Sequence, residues 1–383
     1  METIEKLKKE MCTGCWACTQ ICPRHCIDMR ADQEGFLYPT VDHEKCVSCG
    51  LCTKVCPVIH QRTPNEKEIA YAARSKDAQR VANSSSGGLF STIAEHVIQQ
   101  GGVVFGAALD GDQTVKHMKA ESKEELVQLM GSKYVQSEIG RSYELAKRSL
   151  DEGRMVYFTG TPCHVAGLLN YLGKDYSKLI TQDIVCHGVP SPDVWRKYVQ
   201  YQEKKHSAPV SKVSFRNKDT GWKSYSISIA FENGRFYRKS QADDMFMRGF
   251  LSDLYLRPSC YACNFKGEKR SSDITLADFW GVEDLYPECY DSMGVSLVYL
   301  HTDKAKQIFS EIEEKIECHE VDGHSAVQRN SAIIKAPKVP EKRSEFMKAL
   351  QEESYIRVMK KYCRRPFNLK RTLWKVKQSL LKK

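Results

Sequence analysis

Cys12, Cys15, Cys18 and Cys22 are followed by Pro23, and Cys46, Cys49, Cys52 and Cys56 are followed by Pro57. The same C-x2-C-x2-C-x3-C-P run therefore occurs twice. Three cysteines at i, i+3 and i+6, then Cys-Pro, fit the curved backbone that wraps a 4Fe–4S cubane. Where two such clusters share a module, the fourth cysteine of each run ligates the other cluster. This assigns Cys12, Cys15, Cys18 and Cys56 to one cluster, and Cys46, Cys49, Cys52 and Cys22 to the other. The competing reading is zinc, whose sites usually show two separated cysteine pairs. A cluster pair moves electrons one at a time. Cys26 is left over and is read as structural or free.

Four further cysteines stand at positions suited to chemistry. Cys163 follows a strand pattern at the start of a helix, and Cys186 ends another strand just before His187 and Gly188. Cys260 and Cys263 form a C-x2-C pair. Carboxyl ends of strands line the functional crevice of α/β sheets, and helix N-termini favour thiolate over thiol. On spacing alone three readings stay open: a third cluster, a zinc site from the same four residues, or unrelated buried cysteines plus one redox pair.

Residues 83–88, Asn-Ser-Ser-Ser-Gly-Gly, precede an amphipathic helix and could cradle a phosphate at its N-terminus. A plain serine cap is the alternative. A full G-x-G-x-x-G fingerprint is absent, which argues against an ordinary nicotinamide-binding unit. Lys133 and Tyr134 occupy a polar break, where a lysine could stabilise a reduced flavin anion and a tyrosine could stack on its rings. The alternative is a solvated lysine and a half-buried tyrosine. His164 and His187 each adjoin a candidate cluster cysteine. Either could donate a proton, or instead hydrogen-bond the cluster or the backbone.

The elements that must position these residues follow from pattern. A two-cluster module spans residues 1–60, with a hairpin-compatible insert between its runs, and polar residues 61–68 read as a linker. Strand patterns at 69–73, 103–109, 155–160 and 179–186 alternate with helical patterns at 89–100, 124–130, 139–152, from 162 to 172 and from 192 onward, which indicates an α/β core. Near residue 210 the character changes to alternating strands around the turn Asn233-Gly234. The division is 1–60, 69–205, 206–335 and a basic helical tail, 340–383.

The 383 residues include 16 cysteines but no secretory signal and no membrane-length apolar run, so a reducing, cytoplasmic setting is expected. The net charge of +10 resides in residues 357–383, which hold eleven Lys/Arg and no Asp/Glu. Without them 47 basic residues face 48 acidic ones, which argues against nucleic-acid binding by the body. The tail could form a helix with Leu369, Leu373, Val376 and Leu380 on one face. Peripheral contact with the inner membrane surface, packing on the body, and docking of an acidic partner are all open for it.

Seven motifs occur in order: Glu34 to Pro39, Ser85 to Gly88, Gly131 to Gln136, Thr159 to Cys163, Cys186 to Pro192, Cys260-x2-Cys263, and Asp278-Phe-Trp-Gly281. Together they resemble the beta subunits of coenzyme F-420 (deazaflavin) hydrogenases and dehydrogenases, to which the plant 7-hydroxymethyl chlorophyll a reductases are similar. The resemblance implies an α+β ferredoxin-like two-cluster module followed by an α/β flavin-binding catalytic domain with an added β-hairpin region. It implies non-covalent FAD, with contacts from Ser85, Ser86, Gly87, Gly88, Lys133, Tyr134, Thr159, Gly160 and Thr161. It favours a third 4Fe–4S cluster at Cys163, Cys186, Cys260 and Cys263, with Lys133 and His187 as candidate catalytic residues. Ferredoxin or a partner subunit would exchange electrons with the clusters, and FAD with a small-molecule substrate. An electron-transfer subunit without its own substrate site is the alternative. One departure is Ala277, where the family usually has glycine before Asp-Phe-Trp-Gly.

Overall fold

A computed structural model describes residues 3–65 and 68–363. The proposed apolar stripe of the tail, Leu369 to Leu380, lies outside them.

In the N-terminal module, Ile27–Ala31 (β1) pairs antiparallel with Leu37–Val41 (β2). Phe36, Tyr38 and Val41 are buried beneath it. Each cysteine run bends into a one-turn helix, Ala17–Gln20 or Leu51–Lys54. The residue before each helix is left-handed: Gly50 in the second run, Trp16 in the first.

The body is built on one eight-stranded mixed sheet. Its strands are Ile69–Ser75 (β3), Val103–Leu109 (β4), Val115–Ala120 (β5), Val156–Gly160 (β6), Leu179–Ile184 (β7), Ile274–Asp278, Ser296–Leu300 and Ile316–Val321. Between β7 and the last three run Val210–Asn217 (β8), Ser226–Phe231 (β9) and Phe236–Ser240 (β10), so those three are β11, β12 and β13. The order is β13-β3-β12-β11-β7-β6-β4-β5. The centre, β11-β7-β6-β4, is parallel, and antiparallel strands flank it.

Side-chain alternation gives the sheet two apolar faces. Val104 and Tyr157 face the helix Leu89–Gln99 through Leu89, Ile93 and Val97. Val103, Phe105, Val156 and Phe158 face the helices Ser142–Asp151 and Pro162–Leu172. That second core also contains Cys15, Cys18, Cys22 and Cys56, so the iron–sulfur-type module is packed into the body. The antiparallel sheet β10-β9-β8 shares a third core with the helix Pro192–His206, around Trp195, Phe215 and Phe246.

The expected hairpin, the parallel core strands and the 162–172 helix are present. Two edge strands carried no readable pattern. In β5, His117 takes an inward position; in β13, Glu317, His319 and Glu320 interrupt the apolar residues. The first part of the segment read as a basic helical tail forms two helices, Arg343–Glu352 and Tyr355–Tyr362, seated on the third core through Phe346, Tyr355, Val358 and Met359. Arg343 ties this segment to the module, donating to Glu34 Oε1 at 2.9 Å and to Leu256 O at 2.9 Å. Among the described residues no helix is long and apolar enough to cross a membrane.

Candidate functional site

The cysteines gather around three separate cavities. Cys12, Cys15, Cys18 and Cys56 line one, with Ile4, Leu7 and Val58. Cys22, Cys46, Cys49 and Cys52 line another, and Cys26 joins them there with its Sγ 3.4 Å from Cys22 Sγ. Cys163, Cys186, Cys260 and Cys263 line the third, with Thr13, Thr161, His187, Lys266 and Arg270. The fourth cysteine of each run thus sits with the first three of the other run. Four cysteines lining one cavity are a donor set of the kind that a 4Fe–4S cubane takes.

The third set is built by the parallel centre of the sheet. β6 and β7 are neighbours in register, Gly160 opposite Asp183, so Cys163 and Cys186 emerge side by side beyond their ends. Pro162 occupies the first turn of its helix, where a missing N–H costs nothing. Cys260 lies in the 3-10 turn Pro258–Ala262. That turn is held against the chain after Cys186 by Arg257 N donating to Val189 O at 2.9 Å, and Val189 N points at Cys260 Sγ at 3.4 Å. Burial pushes the Cys163 thiol up to about 12 and the Cys186 thiol up to about 11, while the Lys266 and Arg270 charges pull Cys186 back. Buried thiols resist ionisation, and iron binding takes thiolates. Two cations lining the cavity offset that cost.

The crevice continues along the same sheet edge. Ser296, at the start of β12, lies opposite both Asp278 and Ala73, which brings residues 84–88 beside Asp278. Here the sequence-predicted cradle is partly occupied by its own fold. Ser86 Oγ donates to Val295 O at 2.8 Å, and Gly87 N donates to Ser296 Oγ at 3.0 Å. Ser85 Oγ accepts from Ser132 N at 2.9 Å, joining this loop to the one carrying Lys133 and Tyr134. Gly88 has φ +85°, opening the helix Leu89–Gln99. Lys133 Nζ donates to Gln128 O and Met130 O, each at 2.9 Å, and desolvation lowers its pKa to about 7. Tyr134 packs on Phe215 and Phe250, with ring centroids 5.9 and 4.9 Å away.

The remaining predicted contacts divide. Thr159 turns its hydroxyl into the sheet toward Phe105 O at 2.9 Å, and its carbonyl accepts from the His117 ring at 3.0 Å. Thr161 faces Cys163 Sγ at 3.2 Å, so it belongs with the third set. A Cβ on Gly160 would lie 3.2 Å from His164 Cβ. His187 pairs with Asp253 through Nε2···Oδ1 at 2.6 Å at the third cavity. His164 is buried, its pKa pushed well down by burial, and its Nδ1 has no partner. Ala277 lies inside β11 opposite Leu297 and is not among the positive-φ residues, so alanine fits that backbone.

Known families match this chain in three blocks. A 4Fe–4S dicluster domain matches residues 11–59. The N-terminal and C-terminal parts of the coenzyme F420 hydrogenase/dehydrogenase beta subunit match residues 70–142 and 153–324. The chain belongs to the coenzyme F420 hydrogenase/dehydrogenase beta-subunit family. It is an iron–sulfur redox member of that oxidoreductase family. No curated protein matches it. Among solved structures, the F420-reducing [NiFe] hydrogenase complex from Methanosarcina barkeri (a xenon derivative) contains a chain that aligns at 16% identity with a TM-score of 0.45, over 78% of this chain and 91% of that one.

In this chain several site residues had no sequence signal of their own. Arg257 donates to Cys12 O and to Gln136, the last residue of the Gly131–Gln136 motif, whose Nε2 donates to Thr13 O. Arg216 pairs with Asp278, while its Nε and Nη2 are buried without a partner. Lys218 Nζ donates to the carbonyls of Val81, Ser86 and Met293. Basic residues at unremarkable spacing reveal nothing until folding buries them. Only their proximity to Cys260 and to the Asp278 motif could have singled them out.

Proposed function

We propose that this protein is a flavin-dependent iron–sulfur oxidoreductase that passes electrons from a redox partner, ferredoxin or a partner subunit, to a small-molecule substrate. The bound clusters would supply one-electron transfer, and FAD would supply the conversion to hydride chemistry. Cys22, Cys46, Cys49 and Cys52 would hold the outer cluster. Cys12, Cys15, Cys18 and Cys56 would hold the inner one, and Cys163, Cys186, Cys260 and Cys263 a third. The direction of flow can reverse.

The observation that carries this reading is the sequence of cavities from surface to crevice. Cys49 is exposed, whereas Cys15, Cys18 and Cys56 are buried. Cys12 lines the first cavity and Thr13, the next residue, lines the third. FAD is supported by Arg216, only 8% exposed, which pairs with Asp278 and has two nitrogens without a hydrogen-bond partner among the described residues, a cation that an anionic group would complete. Lys133 would face the flavin with a readily exchanged proton, and His187, oriented by Asp253, would hold a proton near the substrate.

The engaged Ser86 hydroxyl and Gly87 N–H favour a second reading, in which the chain carries electrons without its own substrate site. Anaerobic reconstitution followed by iron, sulfide and flavin analysis separates them. The proposal expects about twelve irons and one flavin per chain. About eight irons removes the third cluster, and no bound flavin removes the enzyme reading.

A further inference from the structure

Arg257 is 0% exposed. Its guanidinium lies against the Cys12 set, and its backbone is hydrogen-bonded to Cys260 of the third set. Nε donates to Cys12 O at 2.7 Å, Nη1 to Gln136 Oε1 at 2.9 Å and Nη2 to Leu37 O at 2.9 Å. Nη2 also points at Cys12 Sγ, 3.7 Å away. The Tyr38 ring covers it at 4.2 Å and the Phe36 ring at 5.5 Å. On the other side, its own carbonyl accepts from Cys260 N at 2.9 Å, which ties the residue to the third set. Gly14, with φ +67°, lets the guanidinium lie against the chain, since a Cβ there would come within 2.8 Å of Nη1.

Every oxygen partner here is neutral, and among the described residues no carboxylate forms an ion pair with Arg257. A desolvated charge needs a counter-charge, and aromatic faces compensate only in part. A group able to carry that negative charge, the Cys12 thiolate, lies 3.7 Å from Nη2, and Cys260 of the third set is hydrogen-bonded to the Arg257 backbone. A cluster ligated by four thiolates is anionic and gains a further negative charge on reduction. A fixed cation and an N–H···S contact stabilise that reduced form, which raises its potential.

We propose that Arg257 is the counter-cation shared by the Cys12 and Cys163 sets, and that it raises the reduction potentials of both clusters. It is a positioning and tuning residue, and it touches no substrate. The Cys12–Thr13 peptide beside it joins the two cavities. Thr13 Oγ1, buried without a partner at the third cavity, is the matching donor on that side. The inference rests on the three-cluster reading above.

The test is a redox titration, followed by electron paramagnetic resonance, of reconstituted wild-type, Arg257→Lys and Arg257→Gln proteins, with iron counted in each. Arg257→Gln should lower the midpoints of two cluster signals and leave the outer one in place, and Arg257→Lys should restore most of the shift. Equal shifts in both variants, no shift, or the same shift in all three signals overturns the proposal. Should Arg257→Gln lose iron, wild-type protein labelled with 15N-arginine decides. A 15N hyperfine coupling to a reduced cluster supports the contact, and its absence overturns it. About eight irons and two signals in the wild type would instead sink the third-cluster reading, a failure distinct from unshifted midpoints at full iron content.

Discussion

The two cysteine runs match in spacing, but the two ligand sets they interleave differ in surroundings. Cys15, Cys18 and Cys56 of one set lie in a core shared with Phe158 and Tyr143 of the body, where the other set contributes only Cys22 as a buried ligand. The Cys46–Cys52 stretch carries outward-facing Val47 and Leu51, and Cys49 is exposed. A repeat encodes two equivalent sets of ligands. The body then covers one set and leaves the other at the surface, which gives the pair a direction that the repeat lacks. The contact that breaks the symmetry is close: a Cβ on Gly167, in the helix Pro162–Leu172, would lie 3.2 Å from Cys15 Sγ and 2.8 Å from Tyr143 Oη.

The largest effect that would sharpen this contrast comes from removing ligands. Cys260→Ala should lower iron by about four per chain while the signals of the N-terminal module persist. Unchanged iron would show that the third set is not a cluster site. Next, the outer cluster should yield its iron to a chelator well before the inner one. Loss at equal rates would remove the distinction between inlet and interior. Gly167→Leu attacks the junction itself and should cost about 1–3 kcal/mol by overpacking. Chemical denaturation measures this, and a smaller cost would mean that the module is only loosely seated.

The smallest effect is in pH. His117 is buried between Ser137 Oγ and Thr159 O, and desolvation lowers its pKa to about 4. The unfolded chain would protonate this ring near pH ~6.5 and the folded chain only near pH 4. Its contribution is therefore complete above pH ~6.5 and falls by at most about 3 kcal/mol as pH drops to about 4. Denaturation midpoints of wild type and His117→Gln across that window provide the check. Equal pH slopes would contradict a neutral, buried ring.

Much of the site was legible because its ligands are local. In the two runs each cysteine predicts its neighbours within a few residues, and Pro162 marks the turn on which Cys163 sits. The Cys163, Cys186, Cys260 and Cys263 set was readable only as separate fragments. Its members come from two parallel strand ends and a distant turn, and spacing along the chain does not encode that convergence. The Ser85–Gly88 loop was recognisable as a loop before a helix. Which of its polar groups remain available was decided by β12, through Val295 and Ser296.

The chemical inventory is written in the residue order: eight cysteines in two cluster-type runs, four more placed near strand and helix ends, and an α/β core to carry them. Such signals survive without a fold because ligand spacing and side-chain periodicity are short-range. Only folding decides which ligand set is more deeply covered, that Cys12 and Thr13 face different cavities, and that Arg257 is sealed against Cys12 without a carboxylate partner among the described residues. Burial and dielectric surroundings are properties of packed elements far apart in the chain. They change what a thiol or a guanidinium does without changing which residue it is.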